Sequence, residues 1–517
     1  MRGHRLVGAK LHIWLISVWL ISVPLAAAAG SASLAGEFSV TPASMARIGT
    51  VDARYQSYNI EMVEVTGGEF WKPYGREPAA QTAQPPNTAA SKNSKLFQYR
   101  PPIDLTNGRL RKLASALAPA YLRVSGTWAN TTYFADSDDV PSTPPAGFKA
   151  ILTRRQWRDV IDFARAVDAP IVTSFAVGAG NRDAAGIWTP DQAHRLLDFT
   201  GMAAGSIAAA EFMNEPNLPA IGGLPAGYDP AAFGRDFRVF HAFVKQTVPE
   251  MMILGPGAIN ETPEASELLA ASRPGVDVIS YHHYGALSER CAGTVTPEAA
   301  LSENWLSRTD QTLAFYRTLR DQFAPGKPIW LTETAETACG GNPWAATFLD
   351  TFRYLDQLGR LAKAGVQVVM HNTLAASDYA LLDERTLAPR PNYWGALLWR
   401  QLMGTTVLDP GVPIQAGLHV YAHCQRGTPG GVALLVINTD RDAPHSLKMA
   451  NASARFTLDA ANLLDASVRL NGNTLTLGPD DRLPPITGVP ASAGMLTMAP
   501  ATITFFAAPE AANAACR

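Results

Sequence analysis

Charge is scarce in this sequence, and almost none of it is in excess. Charged residues make up 17% of the chain, and 43 Lys and Arg against 45 Asp and Glu leave a net charge of −2. So neutral a chain has no global field to draw it to nucleic acid or another polyanion, and any anionic ligand must be held by local geometry. Cysteine is rare too, at four residues in 517. No Cys-x-x-Cys or paired-histidine spacing accompanies them, so the usual zinc frameworks drop out and no metal or cofactor is expected. The dinucleotide fingerprint is also missing: Gly178-Ala179-Gly180 begins one, but Asp183 stands where its third glycine belongs. Past the N-terminus no apolar run approaches membrane length, and no internal repeat is evident.

The apolar run that does exist opens the chain. Arg2, Arg5 and Lys10 precede the stretch from Leu11 to Leu25, and Ala26 to Ala29 follow. These are the charged, apolar and small-residue regions of a secretory signal peptide over residues 1–29. The alternative, a membrane anchor, wants a longer run. The mature protein is expected to be secreted or periplasmic, off the membrane and monomeric. Four cysteines suit that compartment. A Cys424–Cys516 bridge would tie down a terminal strand, stabilising the fold by roughly 2–5 kcal/mol. Cys291 and Cys339 both fall in loops after strand-like segments, and the sequence leaves open whether they pair.

Hydrophobic residues at 47% supply ample core, and the length fits a large barrel plus a companion domain. Residues 51–404 alternate strand and helix patterns. Strands are predicted at 58–63, 121–124, 170–175, 208–214, 252–254, 276–281, 329–333 and 366–370. Eight strands, each followed by a helix, predict a (β/α)8 TIM barrel. One of those helices is expected to run unbroken over 298–323, and residues 72–102, rich in Pro, Ala, Gln, Asn and Ser, read as a long surface loop. From residue 405 to 517 helical periodicity gives way to short alternating runs separated by turns such as Gly430-Gly431 and Asn471-Gly472. That predicts a C-terminal β-sandwich, joined by a strand from residues 30–50.

Chemistry centres on Ala208-Ala209-Ala210-Glu211-Phe212-Met213-Asn214-Glu215-Pro216-Asn217. Proline donates nothing to a sheet ladder, so this strand is expected to stop about Asn214 and leave Glu215 at the barrel rim. Glu333 ends the seventh strand, facing Glu215 across the mouth. Two facing carboxylates are what glycoside hydrolysis requires: one protonates the departing oxygen, and the other attacks or stabilises the sugar cation. Glu211 shares the parity of Glu215 but lies deeper, which reads as structural. His282 and His283 point to opposite faces of a strand, so they cannot chelate one ion together, and one of them lines the cleft.

Tyr121-Leu122-Arg123-Val124-Ser125-Gly126-Thr127, Asn214-Glu215-Pro216-Asn217, His282-His283-Tyr284 and Trp330-Leu331-Thr332-Glu333-Thr334 resemble motifs of the heparanase and β-glucuronidase family of retaining glycoside hydrolases. Gly340-Gly341, Val368-Val369-Met370, Tyr379, Tyr421-Ala422-His423-Cys424 and the Ala-Ala-Cys ending extend the likeness, in order, over most of the chain. The resemblance implies a barrel with a β-sandwich, Glu215 as general acid/base and Glu333 as nucleophile. Its Trp-Leu-x-Glu-Thr frame selects Glu333 over Glu336. Around them, Asn214 would donate to the sugar 2-OH, and Arg123 and Tyr284 would orient Glu333, although Arg123 is equally placed for a structural ion pair with Glu211. Gly340, Gly341 and Tyr379 match positions that hold a uronate carboxylate. Glu61, Thr127, His282 and Tyr284 match positions near the sugar, Glu61 standing where heparanase has aspartate.

The implied substrate is a glucuronic-acid-containing oligo- or polysaccharide, with endo and exo action both open. Basic residues near the mouth are few: Lys149, Arg154, Arg155, Arg158 and Arg290. A densely sulfated glycan would favour a more basic cleft. The alternatives are a β-glycosidase of the same barrel type for a neutral sugar and a non-catalytic glycan-binding protein.

Overall fold

The structure, a computed structural model, describes residues 38–75 and 96–517. The signal-like segment over residues 1–29 lies outside the described residues. Eight parallel strands close into a barrel: Gln56–Glu61, Leu122–Ser125, Ile171–Ser174, Ile207–Glu211, Met252–Ile259, Val278–Tyr284, Ile329–Ala335 and Val368–His371. Each pairs with the next, the eighth pairs with the first, and a helix of at least eight residues follows every strand. Local signals explain individual helices. Thr153 and Gln156 cap the Arg154–Ala166 helix reciprocally, and its Trp157, Val160, Ile161 and Ala164 recur at helical spacing to bury one face. Inside the barrel Val172, Ala209, Leu254, Val278, Trp330, Val368 and Met370 form an apolar plug. Arg123, Glu211 and Thr332 lie above it, toward the C-terminal ends of the strands, so the mouth is polar while the bottom is dry.

After the barrel the chain builds two stacked sheets. The larger runs through Arg47–Thr50, Met403–Leu408, Leu418–Gln425, Val432–Asn438, Thr502–Ala508 and Ser453–Asp459; the smaller holds Phe38–Val40, His445–Met449 and Gly494–Met498. Val432, Leu434 and Val436 pack toward the smaller sheet, while Ala433, Leu435 and Ile437 join the core shared with the barrel. Burial on both faces is why this strand reads as a continuous apolar run. Cys424 and Cys516 form a disulfide that pins the chain end to the Leu418–Gln425 strand, and Cys291 pairs with Cys339.

Three local expectations change. The segment before the barrel makes two strands, not one: the Pro42–Ser44 turn separates Phe38–Val40, in the smaller sheet, from Arg47–Thr50, in the larger. Within the predicted 72–102 loop, Phe97–Arg100 forms a strand antiparallel to Gly68–Trp71. The helix predicted over 298–323 is broken, because Ser302 caps a short Glu303–Leu306 helix by accepting from Trp305 N–H and the long helix starts afresh at Arg308.

Candidate active site

Glu333 faces inward because its strand carries a bulge. Trp330 fills the barrel interior, and Thr332 also points inward, donating to Glu211 Oε1 at 2.7 Å. Strict alternation would then turn Glu333 outward. Pairing with the sixth strand slips instead, from Tyr281↔Leu331 to His282↔Glu333, leaving Thr332 as the extra residue. Bulges re-aim side chains beside active sites, and this one turns Glu333 into the mouth.

Glu215 arrives differently. The fourth strand ends at Glu211, three residues short of the predicted stop at Asn214. Asn130 then clamps the Asn214 backbone, accepting from its N–H at 3.0 Å and donating to its carbonyl at 2.9 Å. Glu215 follows at φ 47°, a left-handed conformation that costs a non-glycine residue on the order of 1–3 kcal/mol. Its N–H donates to Gly257 O at 3.2 Å. Strain of this kind persists only where the surroundings fix it.

The two carboxylates meet around His282. Its Nδ1 lies 3.1 Å from Glu215 Oε1 and 3.8 Å from Glu333 Oε2, and one oxygen of each acid lies within 4.8 Å of the other. Arg123 donates at 2.8 Å to Glu333 Oε2, Glu211 Oε2 and Asn214 Oδ1, so it is both the structural partner of Glu211 and a restraint on Glu333. Tyr284 donates its hydroxyl to Glu333 Oε1 at 2.7 Å. Glu333 therefore has both oxygens bonded. His283 points away, its Nδ1 2.8 Å from the Thr312 hydroxyl, which makes His282 the histidine of the cleft.

These contacts pull the two acids apart. Burial raises the Glu215 carboxyl above the ordinary glutamate range, and the charge on Glu333 adds to it against the His282 hydrogen bond. Burial also works to raise Glu333, but His282, Arg123 and the Tyr284 hydroxyl outweigh it and hold this carboxyl low. Burial lowers His282, yet the surrounding carboxylates win and bring it to about 9. A ring raised this far is an imidazolium at neutral pH, with protons on both nitrogens, Nδ1 facing Glu215 and Nε2 3.7 Å from Glu211 Oε1. Glu215, His282 and Glu333 each offer one atom to a common point, which is a possible donor set for a cation. A protonated Nδ1 is no ligand, however, and Arg123 already supplies the positive charge on Glu333, so these residues do not fit a metal.

A second group adjoins this cluster. Asn372, one residue past the eighth strand, donates to Glu61 Oε1 at 3.1 Å, to the Tyr284 hydroxyl at 3.0 Å and to the Tyr379 hydroxyl at 3.3 Å. Glu61 Oε2 is buried with no partner among the described residues, and burial followed by the Glu333 charge pushes its carboxyl well up. Gly340 and Gly341 have φ of 82° and 85°, and a Cβ on Gly341 would sit 3.4 Å from the Tyr379 ring. Thr127 opens the Thr127–Thr131 turn, half-buried, with no side-chain bond to the cluster among the described residues. Asn372 carries no motif and Asn130 only a glycosylation sequon, Asn130-Thr131-Thr132; what marks them for the site is position, in the loops after the eighth and second strands. A cavity of about 560 Å³ opens elsewhere, between Arg317, Lys327 and Gln367. It lies at the N-terminal ends of the strands, where barrels keep stability rather than chemistry.

A parallel eight-stranded barrel with buried carboxylates gathered at its C-terminal mouth defines the class as barrel glycoside hydrolases. The family model for glycosyl hydrolase family 79, N-terminal domain, matches residues 102–359. Mouse (Mus musculus) heparanase is 29% identical over 485 residues, covering 80% of this chain and 88% of its own length. Baicalin-beta-D-glucuronidase of Scutellaria baicalensis is 25% identical, covering 75% of this chain and 80% of its own. Among solved structures, a 4-O-alpha-L-rhamnosyl-beta-D-glucuronidase from Fusarium oxysporum superposes with a TM-score of 0.65 at 14% identity, over 91% of this chain and 99% of that one; this likeness is one of fold. The chain belongs to the heparanase-like family of glycoside hydrolases.

Proposed function

We propose that this protein is an exported retaining β-glucuronidase that cleaves β-linked glucuronic acid in a glycan by double displacement. The observation that carries the reading is the pair of acids, oxygens within 4.8 Å, in unequal surroundings. Retaining enzymes hold their carboxyls about 5–5.5 Å apart, whereas inverting ones leave about 6.5–9.5 Å for a water. Glu333, held ionised, attacks the anomeric carbon while the bond to the leaving oxygen breaks and that oxygen takes the Glu215 proton. Glu215, now a carboxylate, removes a proton from water, which attacks the same carbon and frees Glu333. With Asn214 Oδ1 bound to Arg123, its amide N–H groups are left for the sugar 2-OH.

The substrate class follows from the second group. Gly340 and Gly341 amides with the Tyr379 hydroxyl would receive the uronate carboxylate, and Glu61 Oε2 a sugar hydroxyl. The basic side chains support one uronate rather than a densely sulfated chain. Arg154 is paired with Asp136, Arg290 with Asp378, and Arg158 lies over the Phe199 ring; the other two of the five, Lys149 and Arg155, are exposed. Relatives named heparanase, hyaluronoglucuronidase and baicalin-beta-D-glucuronidase support a glucuronide as substrate. Two disulfides suit an oxidising compartment, in line with export.

Two measurements test this. NMR of 4-nitrophenyl β-D-glucuronide hydrolysis should show the β-anomer of glucuronic acid first, and a 2-deoxy-2-fluoro glucuronyl fluoride should label the peptide holding Glu333. The α-anomer first, or a label on another residue, sinks the mechanism. Faster turnover of the matching β-glucoside favours a neutral-sugar glycosidase, and binding with no turnover of either favours a glycan-binding protein.

A further inference from the structure

The short segment from Ser288 to Cys291, just past the sixth barrel strand, is bonded to two other loops. Toward the loop after the seventh strand, Ser288 N–H donates to Ala338 O at 3.1 Å and its hydroxyl to Cys339 O at 3.2 Å. Glu289 N–H donates to Asn342 Oδ1 at 2.8 Å, and Cys291 is disulfide-bonded to Cys339. Toward the loop after the eighth strand, Arg290 donates to Asp378 Oδ2 at 3.1 Å. The same guanidinium donates to Lys72 O at 2.5 Å and lies 3.8 Å over the Tyr74 ring. The residues next to these anchors are Gly340, Gly341 and Tyr379.

Backbone geometry shows why anchoring matters there. Cys339, Gly340 and Gly341 form a run at φ 64°, 82° and 85°. The cysteine has a Cβ and so occupies this region at a cost of about 1 kcal/mol or more. Among the described residues nothing accepts from the N–H groups of Gly340 or Gly341. Three successive left-handed residues with free amides would relax if left alone, and amide-to-carboxylate bonds weaken steeply once distance and angle drift. Ser377 Oγ, donating to Gly340 O at 2.7 Å, holds the turn from one side. The disulfide and the Ser288 bonds hold it from the other.

We infer that the Ser288–Cys291 segment, through its disulfide to Cys339 and the Arg290–Asp378 pair, is the positioning element of the anionic subsite. It sets the Gly340–Gly341 amides and Tyr379 at the spacing a carboxylate requires, and it acts on affinity rather than on the acids. This rests on the carboxylate pocket assigned under Proposed function. The segment makes no bond to Glu215 or Glu333 among the described residues, so loosening it should reach KM first.

The test is steady-state kinetics on 4-nitrophenyl β-D-glucuronide. Cys291→Ala/Cys339→Ala should raise KM about tenfold, the weight of roughly one hydrogen bond to a charged group, with kcat within about threefold. Removing the other bridge, as Cys424→Ala/Cys516→Ala, should leave KM unchanged. Arg290→Gln breaks the Asp378 tie with both disulfides intact and should raise KM in the same direction; it decides the matter if the cysteine variant does not fold. An unchanged KM, or a kcat that falls as far as KM rises, overturns the proposal. Gly341→Ala and Tyr379→Phe separate the two levels. If they raise KM and the segment variants do not, the positioning role alone fails; if they leave KM untouched, the carboxylate pocket fails and this role with it.

Discussion

Two buried charge clusters in this molecule are built from the same materials and reach different states. At the barrel mouth Glu61, Glu211, Glu215 and Glu333 surround Arg123 and His282, and all six side chains are buried. Where the barrel meets the sandwich, Asp356 on the Phe348–Lys363 helix accepts from Arg360 Nε at 2.6 Å and from the Tyr421 hydroxyl at 2.5 Å, with His419 Nδ1 2.6 Å away. Glu303 and Asp310 complete that junction, but their side chains are 36% and 43% exposed. At this junction, then, the one fully buried carboxylate of the group, Asp356, sits between two cations, and the other two acids that share them reach solvent. Burial opposes its charge, yet His419 and Arg360 hold Asp356 at about 2. At the mouth four buried acids share two cations, and burial leaves the excess poorly solvated. Charge of one sign in a low-dielectric site is relieved by protonation. Glu211 and Glu333, which touch Arg123, stay low; Glu215 and Glu61, which do not, rise. A matched cluster holds two domains together, while an unmatched one retains a proton that can be given away.

The largest way to break this contrast is to remove either end of the proton imbalance. Glu333→Gln deletes the attacking oxygen, and kcat on 4-nitrophenyl β-D-glucuronide should fall by at least about 10⁴-fold. Glu215→Gln removes the donor and should lower kcat/KM roughly 10²–10⁴-fold with a poor leaving group, and far less with nitrophenol, which departs without protonation. Its kcat should fall with both, because the base of the second step is gone. Equal losses of kcat/KM across leaving groups for Glu215→Gln would deny it the acid role.

Arg123 sharpens the comparison next. In the proposed double displacement, activity needs Glu333 ionised and Glu215 protonated. A lowered Glu333 places the acid limb of kcat/KM below the ordinary glutamate range, and a raised Glu215 places the alkaline limb above it. Arg123→Met leaves Glu211 and Glu333 without their guanidinium, so the acid limb should move to higher pH and narrow the plateau. Stability should drop by about 3–5 kcal/mol, the usual loss when one partner of a buried ion pair is removed. An acid limb that stays in place would mean that His282 and Tyr284 suffice to hold Glu333.

The two regions also differ in how far the sequence announces them. Strand periodicity and the rim position of Glu215 and Glu333 are local signals, and barrel closure carries them to the mouth. The bulge at Thr332 is not legible, because it depends on the register of the neighbouring strand. Asn372 and Asn130 are equally silent about the cleft, since one is a lone asparagine past a strand end and the other reads only as a glycosylation sequon. The junction is hidden more completely. Asp350, Arg353, Asp356 and Arg360 recur at helical spacing, the pattern of a solvated face, yet all four are buried, and Asp356 lies against His419 and Tyr421 of the sandwich. Only the second domain makes that helix interior, and no local pattern encodes the docking.

The smallest expected effect tests the junction alone. Burial lowers His419, but Asp356 and Glu303 outweigh it and raise the ring from 6.5 to about 9. A folded-state value above the unfolded one means the folded protein binds the proton more tightly. The stabilisation is therefore whole below about pH 6.5 and is lost as pH climbs through about 9. At 1.36 kcal/mol per unit it is worth on the order of 3 kcal/mol. Asp356 runs the other way, contributing above its unfolded value of 3.8 and fading as pH falls toward about 2. His419→Gln should thus be less stable than the parent at pH 6, by urea midpoint, with the gap closing by pH 9.5. Its kcat on the glucuronide should hold steady, because the acids at the mouth keep their own partners. A gap of equal size at both pH values would show that His419 is neutral in the fold and that packing, not charge, joins the barrel to the sandwich.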